Sequence, residues 1–315
     1  MPDVSQVHID TALTGVSVAY RNNDYIADEV APPIGVRKQS DRYFVYDPER
    51  EFLRATPDAR APGAEANEVD FQLSSDSYFC EDHALEAAIP DEERENADPP
   101  LQPDIDRTEM LADKIALNRE IGLENLLRTS ASIQGTSLDP LDWWSNPDSD
   151  PLAQIREARH VVLSNVQRRP NVAILPYAIF DALRNHPKVV ERIKYTTAGV
   201  IGEQLLAQLL DLDRVLVPRA FKNVARRGQA PSCVPVWGNT AWLAYVPPRP
   251  ALKQIIGVAT FVWSGPVGSE NGWLVERWRE PRRKADMIRV QRYYDHKLIA
   301  PAAIYRIDNV IEVAG

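Results

Sequence analysis

The chain has 315 residues, 44% apolar and 26% charged, with 36 Lys and Arg against 45 Asp and Glu and a formal net charge of −9. At about 100–200 residues per domain the length allows two domains, and the composition excludes an intrinsically disordered chain. No run reaches the roughly 20 apolar residues that cross a bilayer, the first residues lack the basic and apolar regions of a secretory signal, and the acidic balance excludes a surface whose overall charge draws it to nucleic acid. The two cysteines, Cys80 and Cys233, have no CxxC partner, which excludes a cysteine-based zinc site; they read as small core thiols of a reducing compartment. The 25 prolines exceed the usual share of about 5%. They cluster at 32–33, 99–103 and 247–250, where they stiffen connections and mark segment boundaries.

Residues 1–36 show little periodicity and read as an extended arm. Its apolar residues, Val16, Val18, Tyr20, Tyr25 and Ile26, need cover from the rest of the subunit or from a neighbour. Residues 37–79 read as one long hairpin. Its first strand lies at 42–46, rich in aromatic and β-branched residues. Its return strand alternates Val69, Phe71 and Leu73 with Asp70, Gln72 and Ser74. Between them, 47–65 carries Pro48, Pro57, Pro62 and Gly63 in an open loop, longer than the roughly 12–15 residues usual in compact domains. A two-stranded ribbon is marginal alone in water, so its apolar face needs a partner surface, such as another copy of the chain.

Asp91-Glu92-Glu93 reads as a helix N-terminus favoured by the macrodipole rather than as a carboxylate metal site. Residues 106–128 form the strongest helix pattern, without proline and with Gly122 alone as a weak former. Met110, Leu117 and Ile121 share one stripe, and Leu111, Ile115 and Leu126 share a second. Glu109, Asp113, Glu120 and Glu124 gather into an acidic ridge between them. A helix of this length spans roughly 35 Å. It is either a core helix with a solvated acidic edge, or a strut that packs on its own sheet and turns its charged side to neighbours.

After the polar stretch 129–150 with Trp143-Trp144, an α/β-like region begins. Asp150 caps a helix with Pro151 at its first position, and Leu152, Ile155, Val162 and Val166 repeat until Pro170 stops it. A buried strand follows at 171–175, short helices at 177–185 and 187–194, a helix opened by Gly202, and a strand at 215–217. A polar, basic surface loop occupies 219–232. Strands then dominate at 234–237, 241–245, 258–263, 273–278 and 287–294, and 302–313 closes with alternating apolar residues.

The chain has no GxSxG nucleophile and no cysteine in a catalytic context. Its five histidines, His8, His83, His160, His186 and His296, show neither HxH nor HExxH spacing, and phosphate-cradling glycine loops are absent. No catalytic residue, cofactor or metal site is assigned, and the chain reads as a non-enzyme. Arg226-Arg227 and Arg282-Arg283-Lys284 read as solvated loops. Trp237, Trp242, Trp263, Trp273 and Trp278 read as core packing.

Four stretches carry a resemblance: AYRNNDYIADEVAPPIGVRKQSDRYFVYD (19–47), SYFCEDHALEAAIPDEERENADPP (77–100), PNVAILPYAIFDALRNHPKVVERIKYTT (170–197) and WGNTAWLAYVPP (237–248). In wording and in order, over about 16–313, the chain resembles the major capsid proteins of tailed bacteriophages. The resemblance implies the α+β fold of the Hong Kong 97 type. It places an N-terminal arm at 1–36, an extended loop at 37–79, a peripheral domain at 80–149 and 286–315 with a spine helix at 106–128, and an axial domain at 150–285. It further implies hexamers and pentamers that form an icosahedral head in the virion. That head is assembled in the host cytoplasm around double-stranded DNA, without sequence-specific binding.

The implied partners are other copies of the chain, a portal and a decoration or cement protein, with no membrane and no cofactor. Many family members begin with a long cleavable helical segment; here the arm starts almost at once, which implies a separate scaffolding protein or none. Some relatives crosslink a loop lysine to a neighbour's asparagine. This loop offers only Lys38, at its base, which implies noncovalent cohesion. The candidate contacts are Arg42, Arg50, Arg54 and Arg60 of the loop with Glu109, Asp113, Glu120 and Glu124 of an adjacent subunit. Exposed pairs are worth about 0–1 kcal/mol each but recur in every copy, or these charges are merely solvated. The alternatives are a nanocompartment shell of the same fold that encloses enzymes, and a soluble α+β enzyme with an unrecognised site.

Overall fold

The structure is a computed structural model and describes residues 8–9, 24–45, 58–60, 62–63, 65–66, 68, 74–97, 101–194, 201–249, 254–265 and 272–312. Along the chain run β1 (His8–Ile9), α1 (Ala27–Val30), β2 (Pro33–Val36), β3 (Ser40–Val45), β4 (Ser74–Phe79), β5 (Glu81–Pro90), α2 (Asp91–Glu95), α3 (Pro103–Thr129) and β6 (Gln134–Ser137). Then follow α4 (Pro151–Val166), β7 (Val172–Ile174), α5 (Tyr177–Asn185), α6 (Pro187–Ile193), α7 (Glu203–Leu209), β8 (Arg214–Leu216), β9 (Phe221–Asn223) and β10 (Cys233–Pro235). The last strands are β11 (Thr240–Ala244), β12 (Val258–Trp263), β13 (Trp273–Glu280), β14 (Ala285–Leu298) and β15 (Ile304–Asp308).

Two sheets organise the described residues. In the first, the long strand β14 pairs antiparallel with β5 along one edge. Its other edge pairs with β13 and then β12; β1 extends β13, and β2 lies parallel to β12. The second sheet has the order β6-β15-β11-β7-β8. Sheet membership interleaves the stretches named above: β12 and β13 join β14, whereas β15 joins β11. Successive residues of a strand face opposite sides, so a sheet covered on both sides feeds two cores. Ala173, Ala241 and Leu243 face a core with Leu152, Ile155, Ile179 and Leu206 of the helices. Val172, Ile174, Trp242 and Ala244 face a second core with Leu123 and Leu127 of α3.

Local chemistry sets several boundaries. The Asp150 carboxylate accepts from Ala153 N at 3.0 Å, and Pro151 sits at the first position of α4, where its missing N–H has no intrahelical partner to lose. Gln167 ends the helix in the left-handed region at φ 52°. The helix expected at 106–128 starts a turn earlier, at Pro103, again with proline at the N-terminus.

Its burial departs from the two-stripe reading. Leu111 and Ile115 pack on the first sheet with Ile89, Val275, Ile288 and Val290, whereas Met110 is 36% exposed. Leu123 and Leu127 are fully buried in the other core. Cys80 is buried as expected, and burial and then Asp295 push its thiol up to about 11. Cys233 is exposed, because β10 pairs only with β9 in a two-stranded piece set off from both sheets.

The acidic ridge does not form. Glu120 is 0% and Glu124 1% exposed. Glu120 Oε1 accepts from Trp237 Nε1 at 2.6 Å and Ile26 N at 3.2 Å, and Oε2 accepts from Ala27 N at 2.8 Å. Burial pushes its carboxyl above the usual range, partly offset by those three donors. The adjacent Arg119, 3% exposed, reaches Asp28 at 2.6 Å. Together they clamp α1, a four-residue helix too short to stand without tertiary contacts. Beyond α1, Thr260 Oγ1 donates to Ala31 O at 3.1 Å and Thr260 N to Pro32 O at 3.2 Å, which delivers β2 to β12.

At the far end of the first sheet, Arg94 and Arg277 donate to Asp286, the latter at 2.9 Å, and Arg94 also reaches Asp104 at 3.0 Å. Arg279 grips Asp91 in a fork at 2.5 and 2.6 Å. This network fastens α2 and the start of α3 to β13 and β14.

Glu120→Ala leaves three donors without their acceptor. At about 1–3 kcal/mol for each buried unpaired group, the loss is expected to lower the thermal midpoint and open residues 24–36 to protease, read by limited proteolysis with mass spectrometry. Burial raises the Asp286 carboxyl, but the bonds from Arg94 and Arg277 outweigh it and hold it down to about 2. A depressed folded pKa gives stability that is present above the unfolded value near 3.9 and lost as pH falls toward 2. Asp286→Asn is expected to remove about 1–2 kcal/mol at pH 7, solvent screening allowed for, and to flatten the acid limb of a pH-unfolding series.

Candidate functional site

The ribbon β3–β4 has two unlike faces. Its register pairs Ser40 with Phe79, Arg42 with Ser77, Tyr43 with Asp76 and Phe44 with Ser75. Tyr43 and Tyr78 therefore share one face with Asp41 and Asp76, and that face lies on the body. Both rings pack on Phe261, at centroid distances of 5.1 and 4.6 Å. Tyr43 donates its hydroxyl to Asp76 at 3.1 Å, and burial with this carboxylate pushes the hydroxyl's pKa up. Asp295 accepts from Phe79 N at 2.9 Å, and Gln39 and Cys80 exchange bonds at the ribbon's base.

The other face carries Arg42, Phe44, Ser75, Ser77 and Phe79, all exposed. Phe44 is 61% and Phe79 53% exposed, about 13 Å apart along the ribbon at strand spacing. Covering such a ring is worth about 1.5–3 kcal/mol.

The return strand is Ser74–Phe79; the alternation expected from Val69 to Leu73 lies outside the described residues. Of the loop arginines, Arg42 is exposed on the ribbon and Arg60 is exposed beyond it, while Arg50 and Arg54 lie outside the described residues. Glu109 and Asp113 are half-buried on α3, and Asp113 accepts from the Tyr25 hydroxyl at 3.1 Å. Glu124 is buried beside Arg128, which donates to it at 3.0 Å; burial pushes its carboxyl up, with Arg128 the leading counterweight. Glu120 and Glu124 thus take partners inside their own chain and present no carboxylate to a neighbour. Among the described residues no salt bridge joins Arg42 or Arg60 to Glu109 or Asp113.

Sequence reasoning passed over Phe79 and the pair Phe221 and Val224, 55% and 56% exposed on the β9–β10 piece. Their signal was an aromatic or β-branched residue in an otherwise polar stretch. Trp263, one of the tryptophans expected in the core, is half-buried and donates to Arg37 O at 3.1 Å, bracing the route into the ribbon. The described residues hold no cluster of three metal-ligating side chains and no helix long and apolar enough to cross a membrane.

Three likenesses bear on this geometry. The chain is 31% identical over 309 residues to the major capsid protein of Pseudomonas phage JBD67, covering 96% of this chain and 97% of that one. A crystal structure of a phage-related protein from Bordetella bronchiseptica RB50 superposes with a TM-score of 0.76 at 25% identity, over 96% of this chain and 97% of that one. The capsid protein of cyanophage P-SCSP1u superposes at 0.59 with 9% identity, over 90% and 88% of the two chains, a likeness of fold alone. No family model matches the chain. A near full-length likeness to a phage capsid protein, on a chain that holds a ribbon with two bare phenylalanines away from its cores, means that this chain belongs to the tailed-phage major capsid proteins and has their Hong Kong 97-type fold.

Proposed function

We propose that the chain assembles as hexamers and pentamers into an icosahedral head that encloses double-stranded DNA. The observation that carries this reading is the ribbon. Its base is pinned by Tyr43, Tyr78 and Gln39, while Phe44 and Phe79 are left for a second surface. In this reading 37–79 is the extended loop, 80–149 with 286–315 the peripheral domain around α3, and 150–285 the axial domain. Arg42 and Arg60 of the loop meet Glu109 and the rim near Asp113 on an adjacent copy. The net charge of −9 limits adhesion of packaged DNA to the wall. A separate scaffolding protein, a portal and a cement protein complete the particle, which is built in the host cytoplasm. The likeness to a phage capsid protein favours a genome over an enzyme cargo as the content.

The test is light scattering and negative-stain microscopy of the purified chain, alone and co-expressed with the neighbouring head genes. Megadalton shells are expected. A stable monomer under both conditions, with residues 37–79 protected from protease, overturns the reading. The double variant Phe44→Ser, Phe79→Ser is expected to keep the monomer's thermal midpoint within a few degrees and to cut particle yield at least tenfold. Unchanged yield removes the ribbon face from the contact.

A further inference from the structure

The turn from β13 to β14 forms a rigid basic knuckle. Pro281–Arg283 is a single 3-10 turn, Lys284 follows in the left-handed region at φ 47°, and its N–H bonds back to Pro281 O at 3.3 Å. Arg282, Arg283 and Lys284 are all exposed, and among the described residues none of the three has a salt bridge. Other arginines of this end of the sheet, Arg94, Arg277 and Arg279, are all committed to carboxylates.

Beside the knuckle, between α2 and the first turns of α3, lies an open groove of about 700 Å³. Its apolar lining is Leu101, 64% exposed, and Met110, 36% exposed, with Ala97 and Pro103. Its rim is acidic, with Glu92 and Asp106 joined by Glu93, which already holds Arg107 at 2.6 Å. No knuckle residue lines the groove of its own chain.

We infer that the knuckle of one copy seats in this groove on a second copy, an inference that rests on the shell reading above. Arginine suits both parts of the groove. Its stem covers apolar surface such as Leu101 and Met110, while its planar head pairs with a carboxylate at the rim. Knuckle and groove lie at the same end of one sheet, held together by the Asp91 N to Lys284 O bond of 3.0 Å and the pairing of Ala285 with Pro90. Two different patches set side by side form a heterologous contact, which repeats from copy to copy and makes a ring around that end where its rotation closes.

The test uses two full-length chains, both carrying Cys233→Ser, one tagged with Met110→Cys and one untagged with Arg282→Cys, mixed during assembly and mildly oxidised. A disulfide-linked pair of tagged with untagged chain, at least fivefold above either homodimer, is expected on non-reducing gels. Particles without that excess overturn this contact and leave the shell reading standing. A wild-type chain that forms no particles overturns both. In parallel, Glu92→Lys and Arg283→Glu are each expected to lower particle yield about tenfold, and the double change to restore it. A double variant no better than the singles overturns the pairing. Protection of Met110→Cys from a thiol reagent only when another virion protein is added overturns self-docking in favour of that protein.

Discussion

A buried carboxylate, Glu120, ties together three stretches of chain that lie far apart in sequence and share one apolar core. Taking a charge out of water costs several kcal/mol, so the site is tenable only because three donors converge on it. Two are backbone N–H groups of Ile26 and Ala27, at the buried start of α1, and the third is Trp237 from beneath the second sheet. Arg119 adds Asp28 to the same clamp. The consequence runs outward. With α1 fixed on α3, Ala31 and Pro32 reach Thr260, β2 lies down beside β12, and the chain enters the ribbon at a set place and direction. The aim of the outermost element thus depends on a side chain in the middle of the longest helix.

The ribbon itself shows how a fold separates what must be rigid from what must be available. One face is spent on Phe261 through Tyr43 and Tyr78, and its base is closed by Gln39, Cys80 and Asp295. Ordering the ribbon within the monomer removes a cost that association would otherwise carry, so in the proposed shell the covering of Phe44 and Phe79 would go further toward affinity. The same division appears at the opposite end of the first sheet. There Arg94, Arg277 and Arg279 are consumed in holding α2 and α3, while the three cations of the knuckle are left outside that network.

Much of the architecture was legible in local chemistry: the Asp150–Pro151 start of α4, the short helices broken by Pro187 and opened by Gly202, the run of late strands, and the long helix. Three features were not. Glu120 and Glu124 count as surface in any periodicity argument, yet both are buried, Glu120 beneath α1 and Trp237, which arrive from distant sequence. The stripes of α3 blurred because its two halves meet different cores. Leu111 and Ile115 face one and Leu123 and Leu127 the other, so a single angular average over the helix mixes two faces. The strand Ser74–Phe79 opens with Ser-Ser-Asp-Ser, four residues without the branched or aromatic side chains that favour strand, and its pairing with β3 and the seat of Tyr78 hold it extended.

Folding and assembly in this chain draw on electrostatics of different depth. Inside, burial followed by Arg119 lowers Arg292 to about 9, and burial lowers His296 to about 3, so the imidazole is neutral at ordinary pH and adds no charge beside the two arginines. Arg292 lies over the Trp273 ring at 4.8 Å, and Asp28 supplies the opposite charge. The Arg292–Trp273 contact is buried and shielded from ions. The knuckle, the groove rim and the ribbon arginines stand in solvent, where the screening length is about 8 Å at physiological ionic strength and about 3 Å at 1 M. In the assembly proposed above, salt therefore acts on contacts made by these exposed charges well before it acts on the clamp at Glu120, and a subunit would lose its neighbours while keeping its fold. That ordering is what an assembling shell requires: weak, repeated, adjustable contacts carried by a body whose own stability does not change with them.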